Sequence, residues 1–175
     1  MNDTIKAPIV LTLICSAVCG LLALGNHLTK DKIAAAESQA IQDSLANAFG
    51  EAEYTTLDLQ FDGVNQLFSN PDGTTIFDIT TSGYEKNSQH LLIGIDENGE
   101  VSAISFVSIS DSPTQSKKVQ ETAFLSQFIG QSEVNETYDA IAGATKSSDG
   151  VHTAVTRALN IYCNHKEEIL HGKDN

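Results

Sequence analysis

The chain has 175 residues, 41% of them hydrophobic, which is enough for one core-bearing domain and a short extra segment but too little for two full domains. With 23 acidic against 10 basic residues, a net charge of -13 and a pI near 4.5, it lacks the cationic face needed for general binding to nucleic acid or anionic membrane surfaces.

From Ala7 to Leu24 no residue is charged. A helix of that length spans ~27 Å, close to the hydrocarbon thickness of a bilayer, so residues 1–28 are expected to form a membrane anchor. A cleaved secretory signal ending near Ala23-Leu24-Gly25 is the alternative, but the apolar run is long for one. Cys15 and Cys19 share a helix face within this run and read as small packing residues. Cys163 stands apart, so neither a disulfide framework nor a CxxC metal site is expected.

Residues 29–50 carry a second helical pattern in Ile33, Ala36, Ala40, Ile41, Leu45 and Phe49, ended by Gly50. It reads as a stalk helix continuing from the anchor. The pattern then turns to strands over Tyr54–Leu59, Thr75–Thr81, His90–Asp96 and Val101–Ser110. Asn70-Pro71-Asp72-Gly73 supplies a turn, and Asn98-Gly99 a hairpin, because this dipeptide accepts positive φ. Helical periodicity resumes weakly over Lys117–Phe128 and clearly over Val151, Ala154, Val155, Ala158, Leu159 and Tyr162. Residues 51–165 form the expected domain, and the polar residues 166–175 a tail, with fraying from Asn164 onward. The fold class is α+β: antiparallel strands with a C-terminal helix, behind a membrane helix and a stalk.

The chemistry-bearing stretch is Asp139-Ala140-Ile141-Ala142-Gly143-Ala144-Thr145-Lys146-Ser147-Ser148. Gly143-Ala144 permits a tight turn with close backbone approach to a ligand. Hydroxyls at Thr145, Ser147 and Ser148 lie beside the free amides of a helix start, where a phosphate is readily held. A plain helix-start loop capped by Ser148 or Asp149 is the simpler reading of the tripeptide alone. The five histidines form no HExxH or nucleophile-elbow pattern, which argues against a hydrolase.

This segment resembles the flavinylation motif of FMN-binding domains, as found in the G subunit of Rnf-type electron transport complexes and the C subunit of the sodium-pumping NADH:quinone oxidoreductase. The resemblance continues along the chain through Gly83-Tyr84, the strand Leu91–Asp96, Asn98-Gly99, the strand Val101–Ile109 and the loop Asp111-Ser112-Pro113. It implies that Thr145 carries FMN through a phosphoester made by a flavin transferase. Asp139, Gly143, Ala144 and Ser147 would complete the motif, and Asp111, Ser112 and Thr114 would approach the ring edge. Two departures stand out. Ala142 replaces a hydroxyl residue, and Thr114-Gln115-Ser116 replaces a Gly-Leu-Gly sequence that wraps the flavin. By resemblance the chain is a single-pass protein of the cell (inner) membrane with its domain on the extracytoplasmic side. It would pass electrons between other subunits of a membrane redox complex, as a carrier subunit and not as an enzyme by itself. A free-standing flavinylated carrier, and an assembly module that has lost flavin, are the alternatives.

Overall fold

The computed structural model describes residues 3–172. The chain divides into two units at Ala40 and Ile41. Helix α1 (Asp3–Phe49) begins in the first and ends in the second, so the anchor pattern and the stalk pattern belong to one helical element. In the first unit, Leu11, Leu13, Leu21, Leu22 and Leu28 are all exposed, and the helix contains an apolar window long enough to cross a membrane.

The second unit is built on five antiparallel strands in the order of the sequence: β1 (Thr55–Leu57), β2 (Gln66–Ser69), β3 (Thr75–Thr81), β4 (Gln89–Ile95) and β5 (Val101–Ile109). β3 and β4 pair over seven positions, from Thr75 opposite Ile95 to Thr81 opposite Gln89. Alternation sends Phe77, Ile79, Leu91 and Ile93 to one face and Ile76 and Leu92 to the other. Both faces are covered. Helices α2 (Pro113–Val119), α3 (Thr122–Leu125) and α4 (Thr145–Gly172) close the larger core over the first face. The last turns of α1 place Ile41, Leu45 and Phe49 against Phe68, Ile76 and Leu92 on the second. β4 is therefore buried along its whole length.

Four of these strands lie where the sequence pattern puts them: β3 has the expected bounds, β4 begins and ends one residue earlier, and β1 and β5 are shorter. β2 was not expected. Its Leu67 and Phe68 are adjacent and both buried, one on each face, so the segment has no period-2 signal to read. The β4–β5 hairpin has a different turn from the one the Asn-Gly pair implied. Only Gly99 has positive φ, the Gly99 amide donates to the Asp96 carbonyl, and the Asp96 carboxylate accepts from the amides of Asn98 and Glu100. The single weak helix expected over Lys117–Phe128 is two short helices separated at Glu121, whose backbone is extended.

α4 buries Val151, Ala154, Val155, Ala158, Leu159 and Tyr162 at helical spacing, and the Tyr162 hydroxyl donates to the Asp96 carbonyl at 3.1 Å. The expected fraying from Asn164 is corrected by the structure. The helix kinks at His165 and continues to Gly172, because Ile169 reaches the core.

The start of α4 lies very close to the sheet, and Gly150 makes this possible. A Cβ there would sit 2.5 Å from Gln89 Oε1 and 2.9 Å from the Ser82 carbonyl, and Thr81 Oγ1 already donates to the Gly150 carbonyl. Gly150→Ala is expected to lift this end of the helix off the sheet and destabilise the domain by about 1–3 kcal/mol. Thermal unfolding of the full chain in mild detergent measures this; an unchanged transition would mean that the sheet end yields without cost.

Candidate functional site

The site is built around the turn that precedes α4. The Ala144 amide donates to the Ile141 carbonyl at 2.9 Å, and Gly143 has φ +77°, a conformation that strains any residue with a Cβ. The space over Gly143 is open: the atom nearest a notional Cβ is Lys118 Nζ at 4.0 Å. Ala144 occupies the cap position, where its carbonyl accepts from the Ser148 amide. Alanine has no side chain with which to cap the first amides of the helix, which have no carbonyl partner within the helix.

Three hydroxyls follow, and they have separate fates. Thr145 is exposed. Ser147 is buried, and its Oγ donates to Asp111 Oδ2 at 2.6 Å. Ser148 is also buried; its Oγ donates to the Ala144 carbonyl and accepts from the Ile141 amide. Ser148 thus braces the turn from behind, and Asp149 is engaged by the Tyr138 hydroxyl, so neither acts as the expected N-cap.

Asp111, at the end of β5, joins the parts of this site. It is 6% exposed. Its Oδ1 accepts from Ser88 Oγ (2.6 Å) and from the amides of Tyr84 (2.9 Å) and Glu85 (3.4 Å). Its Oδ2 accepts from Gln89 Nε2 (2.9 Å) and Ser147 Oγ. Burial pushes the carboxyl pKa up, but the bonds from Ser147, Ser88, Gln89 and the Tyr84 amide outweigh it and hold the group below its ordinary value. Gly83 makes room for the carboxylate, since a Cβ there would lie 2.2 Å from Oδ2. Gln89 is fixed in turn: its amide nitrogen also donates to the Ser147 carbonyl, leaving Oε1 facing Gly150 without a partner.

The segment in which two glycines are replaced is helical. Ser112 precedes Pro113 at the first position of α2, a favourable place for proline, and Thr114 is exposed on its first turn. Ser112 Oγ donates to Gln115 Oε1, and Ser116 Oγ to the Asp111 carbonyl. From this helix Gln115 Nε2 donates to the Gly143 carbonyl (3.2 Å) and Lys118 Nζ to the Ala142 carbonyl (3.3 Å). α2 therefore grips the turn in front of Thr145. Asp139 is exposed; its amide donates to Gln127 Oε1 and its carbonyl accepts from Gln127 Nε2. It lines a cleft of about 410 Å³ together with Lys118, Phe124, Gln127 and Ile141.

The structure thus brings Gly143, Ala144, Thr145, Ser147 and Asp111 into one constellation, with α2 beside it and Asp139 on the cleft. It adds residues that sequence reasoning did not single out. Gln89 and Gly150 are revealed only by contact. His152 stacks on Tyr138 at 4.4 Å and its Nε2 donates to the Asn135 carbonyl, fixing the loop before the turn to α4. Burial and the bond to Asp149 push the Tyr138 phenol above its ordinary pKa. Tyr84 had a visible signal, its place after Gly83, but no role was attached to it.

Residues 83–160 match the family model of the FMN-binding domain. The chain carries an FMN-binding domain. Both arms of the constellation, Gly83 to Gln89 and Asp111 to Gly150, fall within the match. The chain is also similar to the G subunit of the ion-translocating oxidoreductase complex of Aliivibrio fischeri (strain MJ11), with 24% identity over 196 residues covering 94% of this chain and 93% of that protein. The residues present suit FMN at its phosphate end. An exposed threonine stands at a helix start beside an open glycine turn, with Lys118 reaching that turn and Lys146 next in the chain, in a strongly acidic protein.

Asp111→Asn puts an amide where five donors converge, and should cost at least the ~1.5–3 kcal/mol of one charge-assisted bond at neutral pH. The pH dependence has a fixed sign. A lowered carboxyl pKa stabilises the fold above the ordinary value of 3.8 and loses that contribution as pH falls through the folded-state value. Melting temperatures of wild type and variant should therefore differ most above about pH 5 and converge as the pH drops below about 4. A constant difference across that range would place the effect elsewhere.

Proposed function

We propose that this chain is an electron-carrying subunit of a membrane redox complex and holds FMN through a phosphoester to Thr145. One observation carries the reading: within an FMN-binding domain, Thr145 presents an exposed hydroxyl at an uncapped helix start while its neighbours Ser147 and Ser148 are turned inward. When bound, FMN supplies the redox chemistry. The protein's own residues do the holding. Gly143 lets the backbone approach without a side chain in the way, and the first amides of α4 would hold the phosphoryl group. Asp111 fixes the helix start by way of Ser147, and Gln115 and Lys118 keep the turn closed. A covalent link also prevents loss of the cofactor to an extracytoplasmic space that cannot replace it. The similarity to the G subunit of an ion-translocating oxidoreductase complex supports a place among other redox subunits, with the apolar stretch of α1 as the anchor.

Co-expression with a flavin transferase should give a band that fluoresces in a denaturing gel, and a mass gain of one FMN less water on the peptide containing Thr145. Thr145→Ala should abolish both and alter stability by no more than about 0.5 kcal/mol, since the side chain is exposed. Flavin retained by this variant after denaturation would move the attachment to another residue. Wild type free of flavin despite an active transferase would favour the assembly-module reading.

The anchor is tested separately. Alkaline carbonate should leave the intact chain in the membrane pellet, because the window in α1 is uncharged and of bilayer length. Recovery of a soluble form lacking residues 1–25 would identify a cleaved signal.

A further inference from the structure

Tyr84 is 59% exposed, the one aromatic residue among the exposed large hydrophobic side chains of the described chain. Its backbone is nevertheless tightly fixed. The Tyr84 amide donates to Asp111, the Gly83 amide to Ser88 Oγ, and the Asn87 amide to Ser82 Oγ. The ring therefore stands in solvent on a rigid base. Asp111 ties that base to Ser147, and so to the residue between Ser147 and the attachment threonine. That residue is Lys146, whose Nζ lies 5.5 Å from the centroid of the Tyr84 ring.

The position of Lys146 is electrostatically unusual. The first turn of α4 holds no acidic residue, and a cation there opposes the positive end of the helix dipole. Lys146 is exposed, and an electron-rich neighbour offsets the opposition of the dipole beyond what solvent supplies. The Tyr84 ring supplies part of that compensation. An anionic or electron-rich ligand would supply more.

Resting on the attachment to Thr145, we propose that Tyr84 and Lys146 form the seat of the flavin ring, with the exposed phenol face stacking on the isoalloxazine and the ammonium lying at its edge. A flat aromatic heterocycle stacks well on an exposed aromatic face. The cation favours the negative charge that the ring gains when two electrons and one proton are added. The competing location is the cleft lined by Phe124 and Ile141. It includes no residue from 142 to 146, and the Phe124 ring is 6% exposed and offers no free face.

The test uses the full chain, co-expressed with a flavin transferase and purified in detergent, with covalent FMN per polypeptide measured first. A flavin stacked on a phenol is quenched, so wild type should fluoresce several-fold less when folded than after denaturation in guanidinium. Tyr84→Leu should remove most of that difference at unchanged loading. Tyr84→Phe, which keeps the ring and removes the electron-donating phenol, should do so in part, and Tyr84→Trp should restore quenching. In titrations with dithionite as the reductant, Lys146→Gln should shift the midpoint potential to more negative values. Full loading with fluorescence unmoved in both Tyr84→Leu and Tyr84→Phe overturns the seat alone, and quenching that responds to Phe124→Leu instead places the ring in the cleft. A wild type that takes up no FMN overturns the attachment to Thr145 and the seat with it.

Discussion

The buried carboxylate of Asp111 is the constraint on which the rest of the site depends. A charge taken out of water is tolerated only if its lone pairs are met by donors. Here those donors come from the turn after β3, from the start of β4 and from α4. Two segments distant in sequence, residues 84–89 and the start of α4, are therefore fixed to Asp111 just after β5. The arrangement also sets the size of the neighbours: Gly83 and Gly150 lack side chains because Asp111 and Gln89 occupy the space a Cβ would need. Moving any one of these groups would leave a buried donor or acceptor unmatched, which costs more than the bond itself contributes.

Such a hub is hard to read from sequence. Asp111 was singled out through its place in the Asp-Ser-Pro loop, with the expectation that it lies at the edge of the flavin. Its inward orientation depends on Ser88, Gln89 and Ser147, all more than twenty residues from Asp111 in sequence, so no local pattern encodes it. The turn at Gly143 and the helix after it were legible, because positive φ and helical periodicity are local properties. The same distinction runs through the fold. β3, β4 and β5 declared themselves as runs of seven to nine residues rich in β-branched and apolar side chains, and α4 by 3.6-residue spacing. β2 did not, because it has only four residues and two apolar side chains, and the end of α4 did not, because a single residue, Ile169, holds it to the core.

The replaced glycines gain a physical meaning from α2. A loop that wraps a ligand by backbone approach needs glycine; a helix that approaches the turn with side chains does not. Thr114, Gln115 and Ser116 lie in such a helix, and two of its side chains, Gln115 and Lys118, reach the carbonyls of Gly143 and Ala142. Contact with the turn is thus retained by other means. Ala142 likewise meets α2 through its carbonyl, a contact that needs no side-chain hydroxyl.

Helix phase then explains how one hydroxyl is distinguished from its neighbours. Successive residues of an α-helix are rotated by about 100°, so residues 145 and 147 lie roughly 200° apart and face opposite ways. Once Gly150, Val151 and Ala154 place one face of α4 on the sheet, Ser147 must turn inward and Thr145 must turn outward. Ser148 shares the inner side and is occupied by Ile141 and Ala144. Three residues of nearly identical chemistry are separated by geometry alone, and the only one left facing solvent is the one beside the open glycine turn. Selective attachment at Thr145, as proposed, would therefore need no difference in intrinsic reactivity among the hydroxyls. It would follow from the same packing of α4 on the sheet that Asp111 secures.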